Sequence, residues 1–242
     1  MADGNAQITI IIPVFNEAAC LNRLGDELMG FFVQSPLPVR VLFVNDGSTD
    51  GGDDYLRALC RRQPDFTCLT FPANCGLSAA LRAGIDSCHT PLVGYMDADL
   101  QTLPGDFLKL MPHADEYEMV NGIRQNRHDP MRKIISSRIA NSIRKFVLKD
   151  GMDDTCCPLK IMQTGIARKI PYFSGMHRFL PALVQMQGGR VKQVPVRHFP
   201  RYAGQPKYHL HNRLVGPMID MLMVSWLIRR NRAMEVVEPY HG

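Results

Sequence analysis

The chain opens on an unbroken apolar run, Ile8-Thr9-Ile10-Ile11-Ile12-Pro13-Val14, rich in β-branched residues, as expected of a strand covered on both faces. Behind it Leu21, Leu24, Leu28 and Phe31 recur at helical spacing and predict a helix over 18–34. The pattern then repeats. Residues 39–44 predict a second strand ending in the polar turn Asn45-Asp46-Gly47-Ser48-Thr49-Asp50, with a helix around 51–62. Residues 68–71 predict a short third strand, and the loop Asn74-Cys75-Gly76-Leu77-Ser78 opens a helix around 78–88. A strand at 91–96, an acidic stretch, a helix near 105–112 and a strand near 117–121 follow. Strand and helix alternate four times in about 120 residues, the sequence sign of a parallel, doubly wound sheet.

Ligands of such sheets sit beyond the carboxyl ends of the strands. Pro13-Val14-Phe15-Asn16-Glu17, Asp46, Asn74 with Gly76, and Asp97 with Asp99 all fall at those ends and are expected to share one site. No G-x-G-x-x-G follows the first strand and there is no P-loop lysine motif, which disfavours dinucleotide-binding and P-loop readings. Repeats and low-complexity linkers are absent from the sequence, which favours one continuous domain.

The most informative stretch is Asp97-Ala98-Asp99-Leu100-Gln101. Two carboxylates and an amide at i, i+2 and i+4 converge just past a strand end if the chain stays extended. Mg²⁺ and Mn²⁺ take such oxygen ligands and complete their shells with substrate phosphates. A lone Asp-x-Asp is weak evidence, so its weight depends on the rest of the chain.

The 242 residues, 45% apolar and 21% charged, are ordinary globular values and ample for a sizeable core. Seven cysteines with no C-x-x-C pair fit a reducing, cytoplasmic setting. No basic segment followed by an apolar stretch opens the chain, so no signal peptide is expected. Charge is split: residues 1–121 hold 7 Lys/Arg against 16 Asp/Glu, and residues 122–242 hold 21 against 7. One surface is expected to handle a cation and another anions. A nucleic-acid-binding role would use the basic half but leaves the acidic site unexplained and has no recognisable module, so no nucleic-acid partner is expected.

The back half adds Gly122-x-Arg124-x-x-Arg127-x-Asp129, Ser137-Arg138-x-Ala140-Asn141, Asp154-Thr155-x-Cys157-x-Leu159-Lys160, His177-Arg178-Phe179 and Arg201-x-x-Gly204-x-x-Lys207-Tyr208. With Pro13-Val14-Phe15-Asn16-Glu17, Val44 to Asp50, Asn74-x-Gly76-x-x-x-Ala80-x-x-x-Gly84 and Asp97 to Pro104, these motifs in this order resemble the family 2 inverting glycosyltransferases of GT-A fold. More narrowly they resemble the polyprenyl-phosphate, dolichol-phosphate mannose synthase-like group, over roughly residues 8 to 225. The resemblance implies an α/β GT-A fold: a Rossmann-like, mostly parallel sheet with helices on both faces, plus C-terminal amphipathic or interfacial helices. It implies a catalytic domain at 1–213, with a nucleotide-sugar half at 1–121 and an acceptor half at 122–213, and an apolar helix and tail at 214–242.

It further implies metal-dependent, inverting transfer of a sugar from a UDP- or GDP-linked donor to a polyprenyl phosphate at the cytoplasmic membrane face. Pro13, Phe15, Glu17, Asp46, Asn74, Gly76, Asp97 and Arg127 would bind the donor; Asp97, Asp99 and Gln101 would hold Mg²⁺ or Mn²⁺. Asp99, Arg124, Asp154 and Lys160 would stand at the reacting centre, and Arg138, Arg178, Arg201 and Lys207 would bind the acceptor. Three positions depart from the family pattern: Cys156 for Gly, Pro206 for Ser and Gln193 for an acidic residue.

A polyprenyl phosphate, with a second pKa near ~6 like other phosphomonoesters, is already a nucleophile at neutral pH. Its site needs cations more than a base, and residues 190–213 supply Arg190, Lys192, Arg197, Arg201, Lys207 and Arg213 with no acidic residue. Asp154 would act as a base or orient Lys160 or an arginine. The alternative is a soluble family 2 transferase acting on a saccharide hydroxyl in cell-envelope polysaccharide synthesis, which would require Asp154 as base. Residues 131–149 read as a basic helix with Ile135, Ile139, Ile143, Phe146 and Val147 on one side. Residues 214–228 are apolar and end at Arg229-Arg230-Asn231-Arg232, too short to span a bilayer. They read either as lying in a membrane interface or as packed on the domain; homo-oligomerisation and the identity of the sugar are left open.

Overall fold

The β-branched run at the start becomes β1 (Ile8–Val14), at the middle of a sheet and buried at nearly every position. The structure, a computed structural model, describes residues 7–125, 131–203 and 215–231, without the side chains of 131–139 and 215. β1 pairs in parallel with β2 (Val39–Asn45) on one side and β4 (Leu92–Tyr95) on the other; Ile11 lies opposite both Leu42 and Tyr95. β3 (Phe66–Thr70) extends the sheet beyond β2. The connections are α1 (Ala18–Gln34), α2 (Gly52–Arg62) and α3 (Leu77–Ser87).

Because side chains alternate along a strand, β1 feeds two cores. Ile10 and Ile12 pack with Leu21, Leu24, Leu28 and Phe31 of α1, while Ile11 packs with Ala80, Leu81 and Ile85 of α3. The α1 stripe read from spacing is thus the buried face. Gly84 lets α3 settle onto the sheet: a Cβ there would lie 2.6 Å from Ile11 Cγ2.

The second half supplies the antiparallel member of the expected mostly parallel sheet. Seven strands, in the order β3-β2-β1-β4-β6-β5-β7, form one sheet. β6 (Lys160–Gln163) runs antiparallel between β4 and β5 (Met119–Arg124), and the edge strand β7 (Val191–Val196) pairs in parallel with β5. The sheet is therefore mixed, as in the implied GT-A architecture. The helix expected near 105–112 is broken into two 3₁₀ turns around a single helical turn, α4 (Phe107–Leu110), and Pro112 lacks the N–H that would continue it. α5 (Met131–Leu148), α6 (Thr164–Lys169), α7 (Leu180–Met186) and α8 (Val215–Arg230) follow. On α5, Val147 packs inward beside Leu148, whereas Ile143 and Phe146 are exposed.

Gly84→Val should cost about 1–3 kcal/mol by overpacking the α3–β1 contact. A urea titration checks this; an unchanged midpoint would mean the helix is not seated against Ile11.

Candidate functional site

Four loops meet at the carboxyl ends of β1, β2, β3 and β4. The turn after β1 carries Asn16 in the left-handed region, φ 51°, a conformation Asn tolerates better than most residues. Its N–H donates to Ser48 Oγ at 3.0 Å, and its Oδ1 accepts the Thr49 N–H at 2.7 Å. Asp50 Oδ2 accepts the Ala18 N–H at 2.8 Å, satisfying a donor at the start of α1. The β1 and β2 loops are thereby clasped together. Asp46, buried, gathers the third loop: Asn74 Nδ2 donates to Oδ2 at 2.8 Å, the Cys75 N–H to Oδ1 at 2.7 Å and the Gly76 N–H to Oδ2 at 2.9 Å. Gly47, at φ +68°, allows this approach, because a Cβ would lie 2.5 Å from the Ala73 carbonyl carbon. Asp46, Asn74 and Gly76 are brought together as one rigid floor.

The acidic motif follows β4. Asp97 Oδ1 accepts the Tyr95 hydroxyl at 2.8 Å. Burial, reinforced by the neighbouring Asp99 carboxylate, pushes the Asp97 carboxyl up to about 6. The premise of an extended chain fails at Leu100, which turns into the left-handed region at φ 59°. The Gln101 N–H consequently folds back onto Asp99 Oδ1 at 3.1 Å. Arg201, expected on the acceptor side, lies on this acidic cluster itself. Its guanidinium donates to Asp99 Oδ2 at 2.9 Å and to Glu17 Oε1 at 3.0 Å. The reason is local: the segment before it runs along the motif, with the Phe199 N–H donating to the Gln101 carbonyl at 2.9 Å. Among the described residues no three His, Cys, Asp or Glu side chains form a ready metal cluster. The donor set nonetheless suits a hard divalent cation, since a desolvated carboxylate pair is short of positive charge. Asp97 and Asp99 would hold it, with Gln101 the neutral oxygen donor in the same turn.

At the end of β5, Arg124 grips Asp154 as a fork, Nε to Oδ2 at 2.7 Å and Nη2 to Oδ1 at 2.9 Å. Burial favours the protonated acid, but the Arg124 fork and Lys160 outweigh it and hold the Asp154 carboxyl below the usual range. Lys160, expected at the reacting centre, is instead buried. Its ammonium donates to Asn121 Oδ1, to the Thr155 carbonyl at 3.0 Å and to the Cys157 carbonyl. Asn121 Nδ2 donates to the Asp154 carbonyl at 2.7 Å. Lys160 is therefore a strut that fixes the 154–157 turn and so aims Asp154 at Arg124. Cys156, standing where the family pattern has Gly, causes no strain, because it is not among the positive-φ residues.

Arg178 pairs with Asp220 of α8 at 3.7 Å. Beside it, His177 Nδ1 lies 2.8 Å from Ser78 Oγ, which also accepts the Gly175 N–H at 3.0 Å. Burial, together with the adjacent Arg178 charge, pushes the His177 imidazole down to about 3, so it is neutral. Pro13 lies in β1 opposite Val44 and Phe15 in the turn that follows. Arg138 lies in α5 with its side chain outside the described ones; Arg127 and Lys207 lie outside the described residues. Tyr95, Ser78, His177 and Asn121 were not among the expected site residues. Only His177 carried a signal, as part of a quoted motif.

Three comparisons bear on this site. A model of the family described as "Glycosyl transferase family 2" matches residues 9–170. The dodecaprenyl-phosphate galacturonate synthase of Rhizobium johnstonii is 30% identical over 230 residues, covering 92% of this chain and 68% of that protein. The undecaprenyl-phosphate 4-deoxy-4-formamido-L-arabinose transferase of Edwardsiella ictaluri is 28% identical over 217 residues, covering 89% and 66%. The chain thus spans about two thirds of the length of these relatives. Among solved structures, a mannosyltransferase from Pyrobaculum calidifontis in complex with GDP-Man and Mn²⁺ matches with a TM-score of 0.66 at 20% identity, covering 96% of this chain and 67% of that one. Glucosyl-3-phosphoglycerate synthase from Mycobacterium tuberculosis, with Mn²⁺, UDP and phosphoglyceric acid, matches at 0.70 and 13% identity, covering 92% and 78%. Both share the GT-A fold seen here.

The neutral His177 gives a pH signature. Its folded-state value lies below the ordinary 6.5, so the unfolded chain binds the extra proton first. Its stability contribution is full above pH 6.5 and is lost as pH falls toward 3, by at most about 1.4 kcal/mol per pH unit. Melting curves between pH 7.5 and 5 should fall more steeply for wild type than for His177→Asn; parallel curves would contradict the buried neutral imidazole.

Proposed function

The chain belongs to glycosyl transferase family 2, and from that premise we propose that it transfers a sugar, with inversion, from a UDP- or GDP-linked donor to a polyprenyl phosphate. The reaction uses Mg²⁺ or Mn²⁺ and takes place at the inner face of the membrane. We read residues 1–121 as the donor half, 122–213 as the acceptor half and 214–242 as the membrane-facing segment. The observation that carries the reading is Arg201 reaching from the basic back half onto Glu17 and Asp99 of the acidic front half. Donor and acceptor machinery then share one cleft. The named acceptors of the two curated relatives support the lipid phosphate.

The Asp46 floor would seat the nucleotide, and Glu17 would line the same pocket. A cation held by Asp97 and Asp99 would stabilise the departing diphosphate. An oxygen of the acceptor phosphate attacks the anomeric carbon as the bond to the diphosphate oxygen breaks on the opposite face. No proton has to be removed, because the phosphate is ionised already. This agrees with Asp154, whose two oxygens are occupied by Arg124; the saccharide-hydroxyl alternative would need that carboxylate as a base.

Membrane attachment is assigned to α5 and α8. Ile143 and Phe146 of α5 and Met218, Ile219, Leu222 and Trp226 of α8 are exposed apolar side chains, Phe146 at 84%. Lys145, Phe146, Lys149, Leu222, Trp226 and Arg229 line a groove of about 870 Å³. Among the described residues no helix is long and apolar enough to cross a membrane. Aromatic and basic side chains together suit an anionic bilayer surface, at about 1 kcal/mol per charge.

Assayed with polyprenyl phosphate, a panel of nucleotide sugars and Mn²⁺, the wild type should transfer at least one sugar. Asp99→Asn should reduce kcat by roughly 10²–10³, the scale seen when a preorganised charge-stabilising group is lost. Turnover in metal-free buffer, or a variant as fast as wild type, would refute the cation role. Separately, Phe146→Glu with Trp226→Glu should weaken sedimentation with anionic liposomes on the order of tenfold, leaving donor binding intact. Undiminished sedimentation would make this face a packing surface.

A further inference from the structure

Arg144 and Arg201 both make ion pairs in the second half of the chain, and they are built differently. Arg144 is sealed in, its side chain 6% exposed. It pairs with Asp150 at 2.9 Å and donates to Thr155 Oγ1, Asn141 Oδ1 and the Met152 carbonyl. Such a pair cannot part without stranding a buried charge. Arg201 is 25% exposed and its guanidinium donates to two carboxylates, Glu17 and Asp99. Water can receive this guanidinium when it lets go.

Its backbone tether is graded in the same sense. The Phe199 N–H bond to the Gln101 carbonyl is firm at 2.9 Å, whereas the Tyr202 N–H contact to the Asp99 carbonyl is at the 3.5 Å limit. The Tyr202 ring is held from the other side by the Arg23 guanidinium, 4.6 Å from its centroid. The backbone of the strap is thus bonded firmly at residue 199 and weakly at residue 202.

A divalent cation held by Asp97 and Asp99 would bring two positive charges to the carboxylate that the Arg201 guanidinium already occupies, a repulsion in a partly buried site. We infer that Arg201 is an exchangeable counter-cation: it holds Asp99 and Glu17 together, yields Asp99 to the divalent cation, and so couples cation loading to the release of the strap at residues 200–203. This makes Arg201 a positioning residue. Once off Asp99, its guanidinium is free to meet an incoming phosphate, so the cleft presents its acceptor-side charge only after the cation is in place. The inference rests on the assignment of Asp97 and Asp99 to a cation in the proposed function.

The test is Mn²⁺ alone, titrated into the full chain and followed by the electron paramagnetic resonance of free Mn²⁺. Arg201→Met should bind Mn²⁺ about tenfold more tightly than wild type, within the usual 5- to 150-fold range of site coupling. Arg201→Lys, which keeps the charge, should stay within about threefold of wild type by the same reasoning. In wild type, Mn²⁺ should in turn speed hydrogen exchange at the Tyr202 amide while leaving the Asp46-bonded Gly76 amide unchanged. Equal or weaker Mn²⁺ binding by a folded Arg201→Met overturns the exchange. If that variant does not fold, an unresponsive Tyr202 amide in wild type overturns it instead. Loss of transfer in Asp99→Asn alongside unaltered Mn²⁺ affinity in Arg201→Met would sink this inference and leave the proposed function standing. Transfer that needs no cation would sink both.

Discussion

Like charges gathered at strand ends are the constraint around which this molecule is arranged. β1 and β4 are parallel neighbours, so the loops that leave them emerge side by side and carry Glu17, Asp97 and Asp99 into one cleft. Carboxylates this close raise one another's proton affinity unless positive charge or hydrogen-bond donors intervene. The donors are present: the Tyr95 hydroxyl on Asp97, the Gln101 N–H on Asp99 and the Arg201 fork across Asp99 and Glu17. They do not suffice for Asp97, whose carboxyl remains raised to about 6 by burial and by Asp99. A cleft left short of positive charge in this way is suited to bind it from outside.

The proposed acceptor side solves the opposite problem, and solves it rigidly. Its cations come from the basic half, yet Arg124 is matched by Asp154, and Lys160 is buried among oxygens of the 154–157 turn and Asn121. These contacts tie the end of β5 to the start of β6, strands that also pair directly. The result is a preorganised wall that a phosphate can approach without the wall moving, which lowers the cost of alignment. The element inferred to be adjustable is the segment at Arg201, which is partly open to water.

How much of this was legible in the sequence depended on whether a feature was local. The helix at 18–34 was readable because an uninterrupted 3.6-residue periodicity matches one buried face, and the strand at 8–14 because an unbroken β-branched run matches burial on both faces. The strand-end position of Asp46, Asp97 and Asp99 followed from the alternation of elements alone. What escaped were features set by sequence-distant neighbours. The β6 strand is only four residues and lies within a motif read for chemistry, and nothing local reveals that it inserts antiparallel between β4 and β5. Lys160 was read as a site cation from the family motif it belongs to; Asn121, 39 residues away, helps make its burial tolerable. Arg201 was assigned to the acceptor because spacing shows charge but not the 102-residue reach to Asp99.

The two working surfaces are also mechanically connected. Ser78 stands in the first turn of α3, directly after the Asn74–Gly76 loop that Asp46 organises. Its hydroxyl accepts the Gly175 N–H and meets His177, and Arg178, next in the chain, pairs with Asp220 on α8. Gly175 completes the junction, since a Cβ there would lie 2.5 Å from Asp220 Oδ2 and 2.9 Å from Arg178 Nη1. The proposed floor of the nucleotide pocket and the root of the apolar helix are therefore linked by short polar contacts, with a neutral imidazole at the centre. A helix that rested on a bilayer would in this way set the height of the donor pocket above the lipid surface. For a transfer whose acceptor is a phosphate fixed at that surface, height is the coordinate that has to be right before any in-line attack can occur.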